Sequence, residues 1–95
     1  MKVLIVEDEI RIREGLESLL SKFQDEFELI GKAEDGAEGL EAIRELRPDI
    51  VITDVKMPNM DGLDMLRQVM AEGINTKAIV LSAYSEFEYA RQAIK

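Results

Sequence analysis

Cysteine, histidine and tryptophan are all missing from the 95 residues, and the first two absences each remove a class of chemistry. Without cysteine there is no disulfide, no thiolate nucleophile and no sulfur ligand for a metal. Without histidine the side chain that most often serves as general base and zinc ligand is gone. No apolar run approaches the roughly 20 residues that cross a bilayer. The opening Met1-Lys2-Val3-Leu4-Ile5-Val6 meets acid at Glu7 and is too short for a secretory leader, so a cytoplasmic protein with no membrane partner is expected. Positive charge is scarce as well: 12 Lys and Arg stand against 20 Asp and Glu, a net charge of −8. With no uninterrupted basic run, direct binding to nucleic acid is not expected. What remains for chemistry is carboxylate, hydroxyl and lysine. At 46% hydrophobic the chain can bury one modest core, and one domain is expected.

The stretch that organises the rest is Ile50-Val51-Ile52-Thr53-Asp54, followed by Val55-Lys56-Met57-Pro58-Asn59-Met60-Asp61-Gly62. Four β-propensive residues are enough for a strand buried on both faces and too few for a core helix. The strand stops on Asp54 and breaks into a turn. Val3-Leu4-Ile5-Val6 repeats the pattern and ends on Glu7-Asp8-Glu9; Ala78-Ile79-Val80-Leu81 repeats it again and ends on Ser82. Phe27 to Ala33 is a weaker strand, broken by Gly31 and flanked by charge, and belongs toward a sheet edge.

Helical patterns fall between these runs. Ile12, Leu16, Leu19, Leu20 and Phe23 share one helical face and predict a core-facing helix. Asp35-Gly36-Ala37-Glu38 has capping-box spacing ahead of Leu40, Ile43 and Leu46, and Arg47-Pro48-Asp49 stops that helix. Asp61 can cap a third helix with Leu63, Leu66 and Met70 inward, ended by Glu72-Gly73. Ser85-Glu86-Phe87-Glu88 opens a fourth, with Phe87, Ala90 and Ile94 inward. Strand and helix alternate four times, which predicts an α/β fold with a parallel sheet and right-handed crossovers.

In such a sheet every strand presents its carboxyl end along one edge, where ligands bind. Glu7, Asp8, Asp54 and Ser82 therefore converge. Carboxylates about 4 Å apart repel by roughly 4 kcal/mol per pair at an effective dielectric near 20, and a hard cation offsets that. Mg²⁺ suits one or two carboxylates with a carbonyl, waters and phosphate oxygens, whereas the alternating ligands of a Ca²⁺ loop are absent. A carboxylate beside Mg²⁺ can attack an activated phosphoryl group, which makes Asp54 the candidate nucleophile and Ser82 a hydroxyl that senses the product. Plainer roles stand beside these: Asp54 as a turn former, Asp8 as a helix N-cap and Ser82 as a strand-end hydroxyl.

Leu4-Ile5-Val6-Glu7-Asp8-Glu9, Asp54-Val55-Lys56-Met57-Pro58-Asn59-Met60-Asp61-Gly62 and Leu81-Ser82-Ala83 together resemble the signature stretches of the receiver domain of two-component response regulators. The resemblance implies a flavodoxin-like, doubly wound parallel sheet in the order 2-1-3-4, here of four βα units spanning residues 1–95. It implies that Asp54 is the phosphoacceptor served by a histidine kinase. It further implies that Asp8, Asp54 and the backbone carbonyl of Lys56 ligate Mg²⁺, that Glu7 acts through water, and that Ser82 is the switch hydroxyl. The kinase would dock near Arg11 to Glu17. The stretch Ser82 to Ala90 is similar to receivers that precede an AraC-type helix-turn-helix domain, hence an expectation of transcription regulation.

The family pattern also includes a fifth strand, with an aromatic switch residue and a phosphoryl-pairing Lys, and a fifth helix; no residue here matches them. The fourth strand would then be an apolar edge, open to self-association or to completion in trans. A second reading follows, in which a truncated receiver is a structural or association module with an inactive acidic pocket. An aspartyl-phosphate hydrolase is disfavoured, because the second acid expected two residues after the nucleophile is replaced by Lys56.

Overall fold

The computed structural model describes residues 1–81. Within them lie β1 (Lys2–Val6), α1 (Ile10–Ser21), β2 (Glu28–Ala33), α2 (Gly36–Leu46), β3 (Ile50–Asp54), α3 (Gly62–Ala71) and β4 (Lys77–Leu81). The strands form one sheet in the order β2-β1-β3-β4, and all three pairings are parallel. The parallel α/β sheet is the one expected from the alternation, and its doubly wound order is the one the family resemblance implied. The fourth predicted helix and Ser82 lie outside the described residues.

Short apolar runs become strands because both of their faces can be covered. Leu4 and Val6 of β1 and Val51 of β3 point to the side occupied by α2 and α3, where they join Ala33, Leu40, Ile43, Met65, Val69 and Ile74 in one buried cluster. Alternation sends Val3 and Ile5 to the other face, on the side of α1. The edge position of β2 agrees with its weaker pattern. Its register against β1 shifts between Val3 and Leu4, whose partners are Leu29 and Gly31, so Ile30 is the extra residue of a bulge.

Helix boundaries follow their caps. Asp35 accepts from the Glu38 amide at 2.8 Å and Asp61 from the Asp64 amide at 2.8 Å, the N-cap geometry that the spacing implied. Helix α2 ends at Arg47, in the left-handed region with φ 48; the following Pro48 disfavours a helical conformation there.

Two expectations about helix faces are corrected. The stripe on α1 was expected to be core, yet α1 buries no residue: Leu16 and Leu20 are half-buried, while Ile12, Leu19 and Phe23 are exposed. Phe23 also falls beyond the end of the helix. In α3 the buried residues are Gly62, Leu63, Met65 and Val69; Leu66 only packs against the cluster from its margin, and Met70 is 77% exposed. Met65 packs against Gly39 of α2. A Cβ there would sit 2.6 Å from the Met65 sulfur and 2.9 Å from Val6 Cγ1, so α2 approaches the sheet and α3 closely only because Gly39 has no side chain. In the α2 helix, Leu40 and Ile43 are buried and Leu46 is exposed.

Candidate functional site

Parallel pairing places Val6 beside Thr53 and Asp54 beside Leu81, so the acids at the ends of β1 and β3 meet at one edge of the sheet. One carboxylate oxygen from each of Glu7, Asp8 and Asp54 lies within 4.8 Å of the others. Residues separated in sequence by a helix, a strand and a second helix thereby form one acidic cluster. Asp8 is exposed and Asp54 half-buried, while Glu7 is only 1% exposed.

The three carboxylates are held differently. Asp54 Oδ1 accepts from the amide of Val55 at 2.7 Å, which fixes the plane of the carboxylate at the strand end. Thr53, itself buried, donates its hydroxyl to the Asp54 carbonyl at 2.9 Å. Glu7 Oε2 accepts from the Glu9 amide at 3.2 Å. Burial pushes the Glu7 carboxyl up to about 7; the Glu9 amide opposes this, and the neighbouring Asp8 and Asp54 add to it. Such a value marks a group that is ionised cheaply only when positive charge is near. Asp8 does not cap α1: the N-cap residue is Glu9, and its side chain makes no cap hydrogen bond. The helix-cap role for Asp8 is therefore not the one the fold uses.

The set of donors is three carboxylates at the mouth of a sheet, with neither imidazole nor sulfur. That chemistry fits a hard divalent cation of the Mg²⁺ type and does not suit zinc or copper. Lys56 follows in the loop after β3 with its side chain exposed, so its ammonium is not buried among the acids. Gly62 packs against the same strand end: its amide donates to the Val55 carbonyl at 2.7 Å, and a Cβ at this position would overlap the Asp54 carbonyl oxygen. Ser82 directly follows the described end of β4.

Sequence reasoning missed three residues that shape this edge. Arg13 donates to the Glu7 carbonyl at 2.8 Å and lies 3.8 Å from Glu34, which ties the acidic β1–α1 turn to the loop after β2. Its position beside the apolar stripe of α1 carries no signal of that role. Thr53 reads as one more β-former. Asn59 has φ 69, and the run Pro58-Asn59 does mark a turn residue that tolerates this conformation.

Comparison with known proteins adds the following. The response regulator receiver domain profile matches residues 3–95. The transcriptional regulatory protein YesN of Bacillus subtilis is 45% identical over 94 residues, covering 99% of this chain and 26% of YesN; the chain thus spans about a quarter of that relative's length. Among solved structures, the REC domain of AraT, a response regulator from Geobacillus stearothermophilus, superposes with a TM-score of 0.87 at 40% identity, covering 98% of this chain and 72% of that one. A chain of the CheX-CheY-BeF3-Mg²⁺ complex from Borrelia burgdorferi gives a TM-score of 0.86 at 28% identity, covering 99% and 70%.

Proposed function

Because this chain belongs to the response regulator receiver domain family, we propose that Asp54 accepts a phosphoryl group from the phosphohistidine of a histidine kinase. An Asp54 carboxylate oxygen attacks phosphorus, the P–N bond breaks, and the departing imidazole takes the electron pair; Asp54 becomes an acyl phosphate. Asp8, Asp54 and the Lys56 carbonyl would hold Mg²⁺, with Glu7 acting through water, and the cation would offset charge on the transferring oxygens. The observation that carries this reading is the meeting of Glu7, Asp8 and Asp54 within 4.8 Å. Further support comes from the similar CheX-CheY complex, whose composition includes Mg²⁺ together with BeF3.

The chain's own groups prepare the step. The Val55 amide on Oδ1 orients the Asp54 carboxylate, and the Arg13 hydrogen bond to Glu7 holds the acidic turn in place. Ser82, one residue beyond β4, is the hydroxyl proposed to bond the new phosphoryl oxygens and to report phosphorylation. Signalling, rather than turnover of a separate substrate, is the function proposed. No helix among the described residues is long and apolar enough to cross a membrane, and the proposed setting is the cytoplasm. By likeness to the transcriptional regulator YesN, the proposed output is control of transcription by a larger protein that carries this domain.

The test is intact mass after incubation with Mg²⁺ and a small acyl phosphate, beside Asp54→Asn. A phosphoryl adduct that requires both Asp54 and Mg²⁺ is expected; a folded chain that forms none overturns the reading.

A second reading, as an association module, is favoured by a different observation. Lys77, Ala78 and Ile79 of β4 are exposed and, among the described residues, β4 pairs with β3 alone. An apolar strand edge of this kind can pair with a second copy or another chain. Sedimentation as a function of concentration is the check: assembly that is unchanged by Asp54→Asn supports this reading, and a monomer at all concentrations removes it.

A further inference from the structure

The loop from Val55 to Asp61 is fastened to α2 by contacts that the phosphoryl-transfer reading does not use. Asn59 sits in the left-handed region, φ 69, and its Nδ2 donates to Asp35 Oδ2 at 2.8 Å. The other Asp35 oxygen is already the N-cap of α2, accepting from the Glu38 amide at 2.8 Å. One residue after Asn59, the Met60 carbonyl accepts from the Gly36 amide at 2.9 Å, and a Cβ at Gly36 would overlap that carbonyl. The Asp35 carboxyl is held below the usual carboxylate value first by the Glu38 amide and then by Asn59, so it stays an ionised acceptor.

A loop that starts at the phosphoacceptor would otherwise be ordered by the cation itself, and that ordering would subtract from affinity. We infer that Asn59 and Asp35 are positioning residues for divalent cation binding, forming a latch that fixes the loop after Asp54 before the cation arrives. This rests on the reading of the acidic cluster as an Mg²⁺ site. The latch touches neither the cation nor the phosphoryl group. It acts through the backbone of Lys56 to Met60, anchored at one side by the α2 N-terminus and at the end by the Gly62 amide on the Val55 carbonyl at 2.7 Å.

A plainer role for Asn59 is tolerance of its left-handed backbone, and Asn59→Gly separates the two, since glycine keeps that conformation and loses the hydrogen bond. Asp35→Ser is the reciprocal change, because serine retains the N-cap acceptor but is too short to carry a second oxygen to Asn59. The experiment is calorimetric titration of the whole chain with magnesium chloride, for wild type, both single variants and the double variant, with melting temperatures alongside. Each single variant is expected to bind Mg²⁺ about threefold to tenfold more weakly, the scale of the net contribution of one ordinary intramolecular hydrogen bond, with a melting temperature close to wild type. The double variant is expected to be no weaker than the worse single one. Exchange of the Lys56, Met57 and Met60 amides, measured without cation, should rise in Asn59→Gly.

Unchanged affinity and exchange in Asn59→Gly overturn the latch. Additive losses overturn it too, because loss of the Asp35 charge alone weakens cation binding whatever Asn59 does. A folded wild type that binds no Mg²⁺ overturns both this inference and the phosphoacceptor reading; binding in the wild type with no change in the variants overturns only the latch.

Discussion

On one face of the sheet, α2 and α3 close over Leu4, Val6 and Val51 with Leu40, Ile43, Met65 and Val69, all of them buried. On the other face α1 contributes no buried residue, and cover thins from Ile5 at 0% exposure through Ile52 at 9% to Ile79 at 49%. The helices on both sides carry an apolar stripe, but only Leu16 and Leu20 of the α1 stripe are even half-buried. What differs is how closely the backbones approach. Gly39 lets α2 settle onto Val6 and Met65, and Arg44 ties α2 to α3 by bonding Glu72 with Nε and a second nitrogen. At Gly15, the glycine of α1, a Cβ would meet no atom of the described residues within 4 Å, and the link of α1 to β2 includes an exposed Lys32–Glu17 pair at 3.0 Å. Apolar content alone therefore does not measure what an element contributes to stability; sealed volume does.

The largest effect should come where the sealed side meets the acidic edge. Gly62→Ala places a methyl group on the Asp54 carbonyl, and about 3 kcal/mol or more of stability is expected to be lost by denaturant titration, with loss of Mg²⁺ binding. Next is the direct contrast. Ile43→Ala, at 0% exposure, should cost about 2–4 kcal/mol, whereas Leu19→Ala, at 51% exposure, should change stability by no more than about 0.5 kcal/mol. Equal losses would break the comparison and mean that the α1 side is covered in solution, which concentration-dependent sedimentation of the Leu19 variant would then resolve.

The acidic edge gives a smaller effect, with a defined sign. Folding raises Glu7 from 4.5 to about 7, so between those values the folded chain holds more proton than the unfolded one. Stability should accordingly fall as the pH rises from 4.5 through 7, by roughly 1–3 kcal/mol. Saturating Mg²⁺ should flatten this profile, and Glu7→Gln should remove most of it. A profile that rises over that interval would show that Glu7 is ionised at low pH in the folded chain. The smallest effect concerns the ion pairs. Arg44 lowers Glu72 from 4.5 to about 2, so its stabilisation is fully present above the usual carboxylate value and lost progressively as the pH falls from 4.5 through about 2. Between pH 5 and 8, Glu72→Gln should lower the melting temperature slightly, and less so in high salt.

Much of the site was legible in the sequence. Val3 to Val6 and Ile50 to Thr53 are apolar runs that end on acid, and parallel strands bring their carboxyl ends together; Glu7, Asp8 and Asp54 could be grouped on that ground. Caps at Asp35 and Asp61 and the stop before Pro48 were equally readable, because each depends on bonds within a few residues. The faces of α1 and α3 were not. In α3, Leu63, Leu66 and Met70 make the regular helical stripe, whereas the buried Met65 and Val69 lie on another face from Leu63, which packs with Val55 instead; local periodicity pointed to the wrong face. The bulge at Ile30 was hidden for the same reason, since register is a property of a pair of strands.

Composition and periodicity by themselves determined the class of chemistry, the alternation of strand and helix and the acids at the strand ends. These follow from local backbone preferences and from which side chains are present at all. Only the tertiary structure decided that Glu7 is buried while Asp8 is exposed, that α3 turns Met65 inward and Met70 out, and that Asn59 reaches Asp35 from a distant part of the chain. Each of those depends on how closely two backbones approach, and that distance is set by residues, such as Gly39 and Gly36, whose effect is exerted on a partner far away in sequence.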